Sequence, residues 1–206
     1  MPTTRTAWDF WAPRYEGLWA QRYSLGPTRR LILAHIGAVA PGASRFLDLG
    51  CGVGQLAAEI AAAHPRAEVL GCDPSADMIA RASRDYAAPN LRYLHGDVFS
   101  VPRGDGFDVI TCTHAFPYAP DKPATLRAAA ALLRPGGRLL IAQANTENPY
   151  DWAWLLVVRL TTTPSRYHSA AGLHALMRDA GLTPGVVRPI EKPSWIPSIQ
   201  MVEGIA

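Results

Sequence analysis

The chain has 206 residues, enough for one domain with a sizeable core and too few for two comfortable ones. Hydrophobic residues make up 49% and charged residues 18%, while Gly 17 and Pro 18 together are about a sixth of the chain, which excludes a collagenous, disordered or strongly acidic protein. The net charge of +3 is carried by scattered basic residues with no run of five, so the concentrated basic face that nucleic acid binding needs is missing.

The N-terminal stretch, MPTTRTAWDFWAPRY, has no apolar signal region, and 6–39 reads as two helices with Trp8, Phe10, Trp11, Tyr15, Leu18 and Trp19 crowding the first. From residue 45 short apolar runs alternate with helical patterns. RFLDLG (45–50), AEVLGCD (67–73), LRYLHGD (91–97), FDVITCTHAF (107–116) and RLLIAQA (138–144) read as strands. Between them, 55–65, 74–87 and 121–137 read as helices, the last capped by Asp121 and stopped by Pro-Gly-Gly. Residues 146–168 break the alternation with an aromatic, Pro-marked segment in which Asn148-Pro149-Tyr150 reads as a turn. A helix over 169–182 follows, N-capped by Ser169 and ended by Gly181, and 183–206 supplies two last strands. The apolar stretch from Trp152 to Leu160 is half the length needed to span a bilayer. Cys51, Cys72 and Cys112 are too few for a disulfide framework and suit buried small hydrophobes in a reduced cytoplasm.

Nearly continuous apolar strands joined by helices predict an α/β fold with a parallel sheet buried on both faces. In such sheets ligands bind beyond the carboxyl ends of the strands, at the point where strand order reverses. Those ends carry Asp48–Gly54, Asp73, Gly96–Val98, Thr113–Phe116 and Gln143–Asn145. Gly50, Gly52 and Gly54 permit a tight turn and close backbone approach. Gln55 stands where a dinucleotide fingerprint needs Gly, and the Asp48 carboxylate repels a pyrophosphate but suits a cation. Asp73 can accept from ribose hydroxyls, and Asp97 from the exocyclic amine of a purine. The implied ligand is a nucleoside with a free ribose and a cationic group in place of phosphates.

The segments FLDLGCGVG (46–54), VLGCDPSADMIARA (69–82), LHGDVFSVP (94–102), FDVITCTHAF (107–116) and ALLRPGGRLLIAQ (131–143), in this order and spacing, resemble the class I S-adenosylmethionine-dependent methyltransferases of small-molecule, natural-product or quinone type. SAAGLHALMRDAGLTP (169–184) extends the likeness. The resemblance implies a Rossmann-like, doubly wound, seven-stranded, mostly parallel sheet with an antiparallel last strand and an N-terminal helical lid. Within one domain it places the lid at 1–40, the cofactor core at 45–145, a substrate-side insertion at 146–168, and the last helix and strands at 169–206. It implies S-adenosylmethionine as cofactor, S-adenosylhomocysteine as product, and cofactor contacts from Tyr15, Asp48, Gly50, Cys51, Gly52, Gly54, Asp73, Pro74, Met78, Gly96, Asp97, Val98 and Thr113. Trp11 is a further candidate for the lid.

A base is needed only where the acceptor must lose a proton. His114, Tyr118 and His168 are the candidates, a lone loop His being as often a packing residue. Met78, Trp11 and Tyr15 also suit plain core packing. Tyr150, Trp152, Trp154 and Tyr167, with Trp8, Trp11 and Trp19, suit walls around a small, rather apolar acceptor, or a homodimer interface. No metal set and no membrane span are expected. The rival readings are a cofactor-binding enzyme that cyclises or rearranges without methylating, a silent binding module, and an NAD enzyme, which Gln55 disfavours.

Overall fold

A computed structural model of the protein describes residues 16–17, 20–146, 149–161, 165–191, 193, 195 and 197–206. Tyr15, Trp8, Trp11 and Trp19 lie outside the described residues. A π-helical turn, Gln21–Leu25, leads into α1 (Gly26–Val39). Then come β1 (Arg45–Leu49), α2 (Gln55–Ala63), β2 (Glu68–Asp73), α3 (Ala76–Asp85), β3 (Leu91–His95), β4 (Phe107–Thr113), α4 (Lys122–Leu132), β5 (Leu133–Ala144), α5 (Pro149–Thr161), α6 (Ala170–Asp179), β6 (Thr183–Pro189) and β7 (Ile199–Ile205). The sheet order is β3-β2-β1-β4-β5-β7-β6, and β7 runs antiparallel to both its neighbours.

The alternation of side chains along each strand builds two cores. Phe46, Val69 and Leu140 point to the face covered by α1 and α2, against Ile32, Ile36, Leu56 and Ile60. Leu47, Ile110, Leu139 and Ile141 point to the face covered by α4 and α6, against Leu126, Leu173 and Met177. Fully burying each such side chain stabilises the fold by about 1.5–3 kcal/mol, so the doubly wound arrangement follows from strands apolar on both faces.

Three helix starts are fixed by side chains. Ser75 accepts from the Met78 N–H, Asp121 from the Ala124 N–H and Ser169 from the Gly172 N–H. Three sequence expectations are corrected. The helix expected over 121–137 ends at Leu132, and Pro-Gly-Gly falls inside β5, where the pairing with β4 shifts register. The fourth strand stops at Thr113, not at 116, because His114 turns into the left-handed region with φ of 57°. The insertion holds a helix, and Pro149 opens it rather than making a turn, a position where a missing N–H costs nothing. Among the described residues no helix is long and apolar enough to cross a membrane, and no cluster of His, Cys, Asp and Glu has a metal-binding arrangement.

Candidate active site

Strand order reverses between β1 and β4. A cleft sits at that point, walled by Asp48, Gly50, Cys51 and Val53 after β1, Thr113 and His114 after β4, Gln55 and Leu56 on α2, and Leu25 and Arg29 at the start of α1. Its empty space, counted out into open solvent, is about 360 Å³.

Gly50, Gly52 and Gly54 all have positive φ, of 69°, 54° and 89°. A side chain at Gly50 would run into Ala115, and one at Gly54 into the Tyr93 ring, whereas at Gly52 it would meet open space. So the first and third glycines let the turn nest against the protein, and the middle one leaves bare backbone facing room for a ligand. The turn is tied to β2 by the Gly50 and Cys51 N–H groups, which both donate to the Cys72 carbonyl.

Asp48 is buried and lies in register with Thr111 on β4. Thr111 Oγ1 donates to Asp48 Oδ1 over 2.7 Å. Burial pushes the Asp48 carboxyl up to about 7, against the pull of that hydrogen bond, and the charge of Asp73 adds to the rise. A buried carboxylate on the wall of a cleft is a receptor for a cation. Cys72 and Cys112 are pushed up to about 12 and Cys51 well above its ordinary range, in each case mainly by burial, so none offers a thiolate.

The other acidic residues lie along the same rim, one and two strands further out, and not in the cleft wall. Asp73 spreads its oxygens between the Gly52 N–H on Oδ2 and the Ser75 N–H on Oδ1, each at 2.9 Å. It therefore braces the glycine turn from β2. Pro74 is exposed beside it, and its carbonyl accepts from His95 Nε2. Met78 is buried against Val53 and Tyr86. Asp97 caps the 3₁₀ turn Val98–Ser100, with Oδ1 accepting from the Phe99 N–H and the Ser100 hydroxyl. Its cap role was not legible from residue type. Gly96 donates its N–H to the Asp73 carbonyl, and Val98 is buried.

Of the three candidate bases, only His114 lines the cleft. Its N–H donates to the Ala142 carbonyl at 2.7 Å, and its Nε2 lies 3.0 Å from Thr28 Oγ1. Burial alone lowers its pKa to about 4, so the ring is neutral at ordinary pH. Tyr118 and His168 belong to a separate group at the ends of β4 and β5. Arg166 N–H donates to the Pro117 carbonyl, Tyr118 hydrogen-bonds Tyr167, and Gln143 Nε2 donates to the His168 carbonyl. Burial, then Lys122 and Arg166, lower the His168 pKa as well. The aromatic residues of the insertion do not all face inward: Trp152 is 62% exposed, and Tyr150 is half exposed with its hydroxyl on the Trp195 carbonyl.

Residues that sequence reasoning passed over complete the cleft. Arg29 donates to Glu59, Gln21 and Gln55, and Gln55 reaches Tyr86. Tyr86 and Arg81 both donate to Glu16. This chain of contacts fastens the segment before α1 across the first turns of α2 and the C-terminal half of α3. Thr111, Thr28 and Arg29 gave no sequence signal, because their partners are set by strand register and helix docking.

A family model described as "Methyltransferase domain" matches residues 19–185. The chain belongs to this methyltransferase family. It is 35% identical over 145 residues to the ubiquinone/menaquinone biosynthesis C-methyltransferase UbiE of Syntrophotalea carbinolica, covering 68% of this chain and 60% of that one. It is 39% identical over 98 residues to a trans-aconitate 2-methyltransferase of Deinococcus radiodurans, covering 48% and 37%. The methyltransferase thus spans less than two thirds of the length of these two relatives. Its fold matches a chain of a Haloferax volcanii complex between a methyltransferase activator and a methyltransferase, with a TM-score of 0.81 at 21% identity over 99% of both chains. The cofactor of this class I family is S-adenosylmethionine, and a magnesium protoporphyrin IX methyltransferase of Synechocystis of the same fold holds its demethylated product (TM-score 0.69, 16% identity, 91% and 87% covered). The open backbone at Gly52 and the buried Asp48 carboxyl fit a cationic nucleoside of that kind.

Proposed function

We propose that the protein transfers a methyl group from S-adenosylmethionine to an oxygen, nitrogen or carbon atom of a small, largely apolar metabolite. The observation that carries this is the sharing of one cleft by a buried carboxyl, Asp48, the bare backbone of the glycine turn, and His114. Gly50, Cys51, Gly52 and Gly54 hold the amino-acid end of the cofactor, Asp73 and Pro74 the ribose side, and Met78, Gly96, Asp97 and Val98 the base. Thr113 sits beside the methyl donor. When bound, the cofactor supplies an electrophilic methyl on a good leaving group, so the protein's share is positioning and exclusion of water.

His114 is the base for an acceptor that carries a proton. The acceptor's lone pair forms the new bond to carbon, the broken C–S bond leaves its pair on sulfur, and the acceptor proton moves to the imidazole. A base held near pKa 4 cannot keep a proton taken from a free ammonium, but it can take one from a hydroxyl made acidic as the methyl arrives. That favours a hydroxyl acceptor. The relatives, a ubiquinone/menaquinone biosynthesis C-methyltransferase and a trans-aconitate 2-methyltransferase, favour quinone-type rings or small carboxylates. Tyr118, after β4, and His168, at the end of the 146–168 insertion, flank the acceptor, the segment before α1 acts as a lid fastened through Glu16, and the whole chain is one catalytic domain working in the cytoplasm, where three unpaired thiols persist.

The test is incubation of a small-molecule extract with cofactor carrying a deuterated methyl group, read by mass spectrometry. A product heavier by one labelled methyl supports the proposal. Cofactor consumption with product of unchanged mass contradicts it.

A further inference from the structure

Thr28 is buried on the first turn of α1, and its side chain faces two groups. Oγ1 lies 2.8 Å from the Ser24 carbonyl oxygen, in the π-helical turn, and 3.0 Å from His114 Nε2. A carbonyl oxygen only accepts, so the single hydroxyl proton of Thr28 goes to Ser24. The contact to His114 then needs a donor on the ring, and Nε2 must carry a proton. A neutral imidazole has one such proton, so Nδ1 is left with its lone pair. Nδ1 makes no hydrogen bond among the described residues, and the ring lines the cleft. The ionisable groups that share the cleft are engaged elsewhere: Asp48 with Thr111, Arg29 with Glu59, Gln21 and Gln55, and the Cys51 thiol with the Gly52 carbonyl.

The backbone agrees with a placed ring. His114 is the one non-glycine residue with positive φ among the described residues, a conformation strained for an L-residue and held by its N–H on the Ala142 carbonyl. Strain kept at one side chain on a cleft wall is typical of a site that needs that side chain in one place.

We infer that Thr28 is a positioning residue, which locks His114 as the Nε2-protonated tautomer so that Nδ1 presents a bare lone pair to the acceptor. This rests on the methyl-transfer proposal above for its use, but not for its test. The relay runs from the Ser24 carbonyl through Thr28 to His114, so the first turn of α1 sets the chemistry of a residue 86 positions after Thr28. On taking the acceptor proton at Nδ1, the ring becomes doubly protonated while its Nε2–H stays on Thr28.

The experiment is long-range proton–nitrogen NMR on protein labelled with ¹⁵N-histidine, for the wild type, Thr28→Val and Thr28→Ser, with S-adenosylhomocysteine titrated calorimetrically into each. The expected wild-type spectrum has a protected His114 Nε2–H and an unprotonated Nδ1. Thr28→Val loses the protected proton and gains signal from the Nδ1-protonated form, and Thr28→Ser restores the wild-type pattern. A wild-type His114 protonated on Nδ1 overturns the inference, as does a Thr28→Val spectrum unchanged in both tautomer and proton protection. Absence of S-adenosylhomocysteine binding in the wild type sinks the methyl-transfer proposal instead and leaves the tautomer result standing.

Discussion

Asp48 carries a charge where burial resists it, and that has a consequence for pH. Its folded-state pKa of about 7 stands above the ordinary 3.8, so between about pH 4 and pH 7 the folded protein holds a proton that the unfolded chain releases. Stability from this group is therefore full at low pH and falls as pH rises through that window. Denaturant titrations of the ligand-free protein across it should show a downward slope that Asp48→Asn removes, the difference between the two proteins isolating this residue. The cofactor acts in the opposite sense, because its cation favours the ionised carboxyl. S-adenosylmethionine should bind more tightly above pH 7 than at pH 5.5 by calorimetry, and Asp48→Asn should bind weakly with little pH dependence. Asp73 acts through hydrogen bonds. Asp73→Ala frees the Gly52 and Ser75 N–H groups and removes the proposed ribose acceptor, and should weaken cofactor binding by about 1–3 kcal/mol.

Within the glycine turn, the same substitution should have two different results. Gly50→Ala adds the strain of a left-handed alanine to a collision with Ala115, at the turn that also holds His114, so both thermal stability and S-adenosylhomocysteine affinity should fall. Gly52→Ala has room for its methyl and should lose about 1–2 kcal/mol of stability from backbone strain alone, while binding falls further because the methyl stands in the ligand's space. Melting curves alongside titrations separate the two. Helix starts were legible because Ser75, Asp121 and Ser169 are cap residues whose partners lie within three positions. The end of α4 was not. Pro-Gly-Gly reads as a helix stop, yet the backbone enters the sheet at Leu133 and the irregularity becomes a register shift, a matter decided by β4 alongside and not by local preference. The end of β4 was hidden for a similar reason, since the left-handed turn at His114 is held by Ala142 of β5. The helix in the insertion was masked by its aromatic content and its opening Pro149.

For the whole molecule, the apolar runs foretold a parallel, doubly covered sheet with the acids and glycines at its strand ends. Contacts across the sheet were beyond the sequence. Thr28 meets His114, Asp48 meets Thr111, and buried Glu203 on β7 accepts from His35 on α1 and Arg138 on β5. Burial raises the Glu203 pKa, but the Val186 N–H, Arg138 and His35 lower it further, and the net effect is below the ordinary value. This group ties α1, which carries Thr28 and Arg29 to the cleft, to the far strands. Glu203→Ala removes an acceptor shared by Arg138, His35 and the Val186 N–H and should cost about 1.5–3 kcal/mol by chemical denaturation. The central claim is that the strand-order reversal between β1 and β4 holds a cationic nucleoside and rejects a diphosphate. Paired calorimetric titrations with S-adenosylmethionine and NAD test it most directly. The account predicts saturable one-site binding of S-adenosylmethionine that Asp48→Asn weakens, with no heat from NAD. Binding of NAD, or S-adenosylmethionine affinity indifferent to Asp48→Asn, would contradict it.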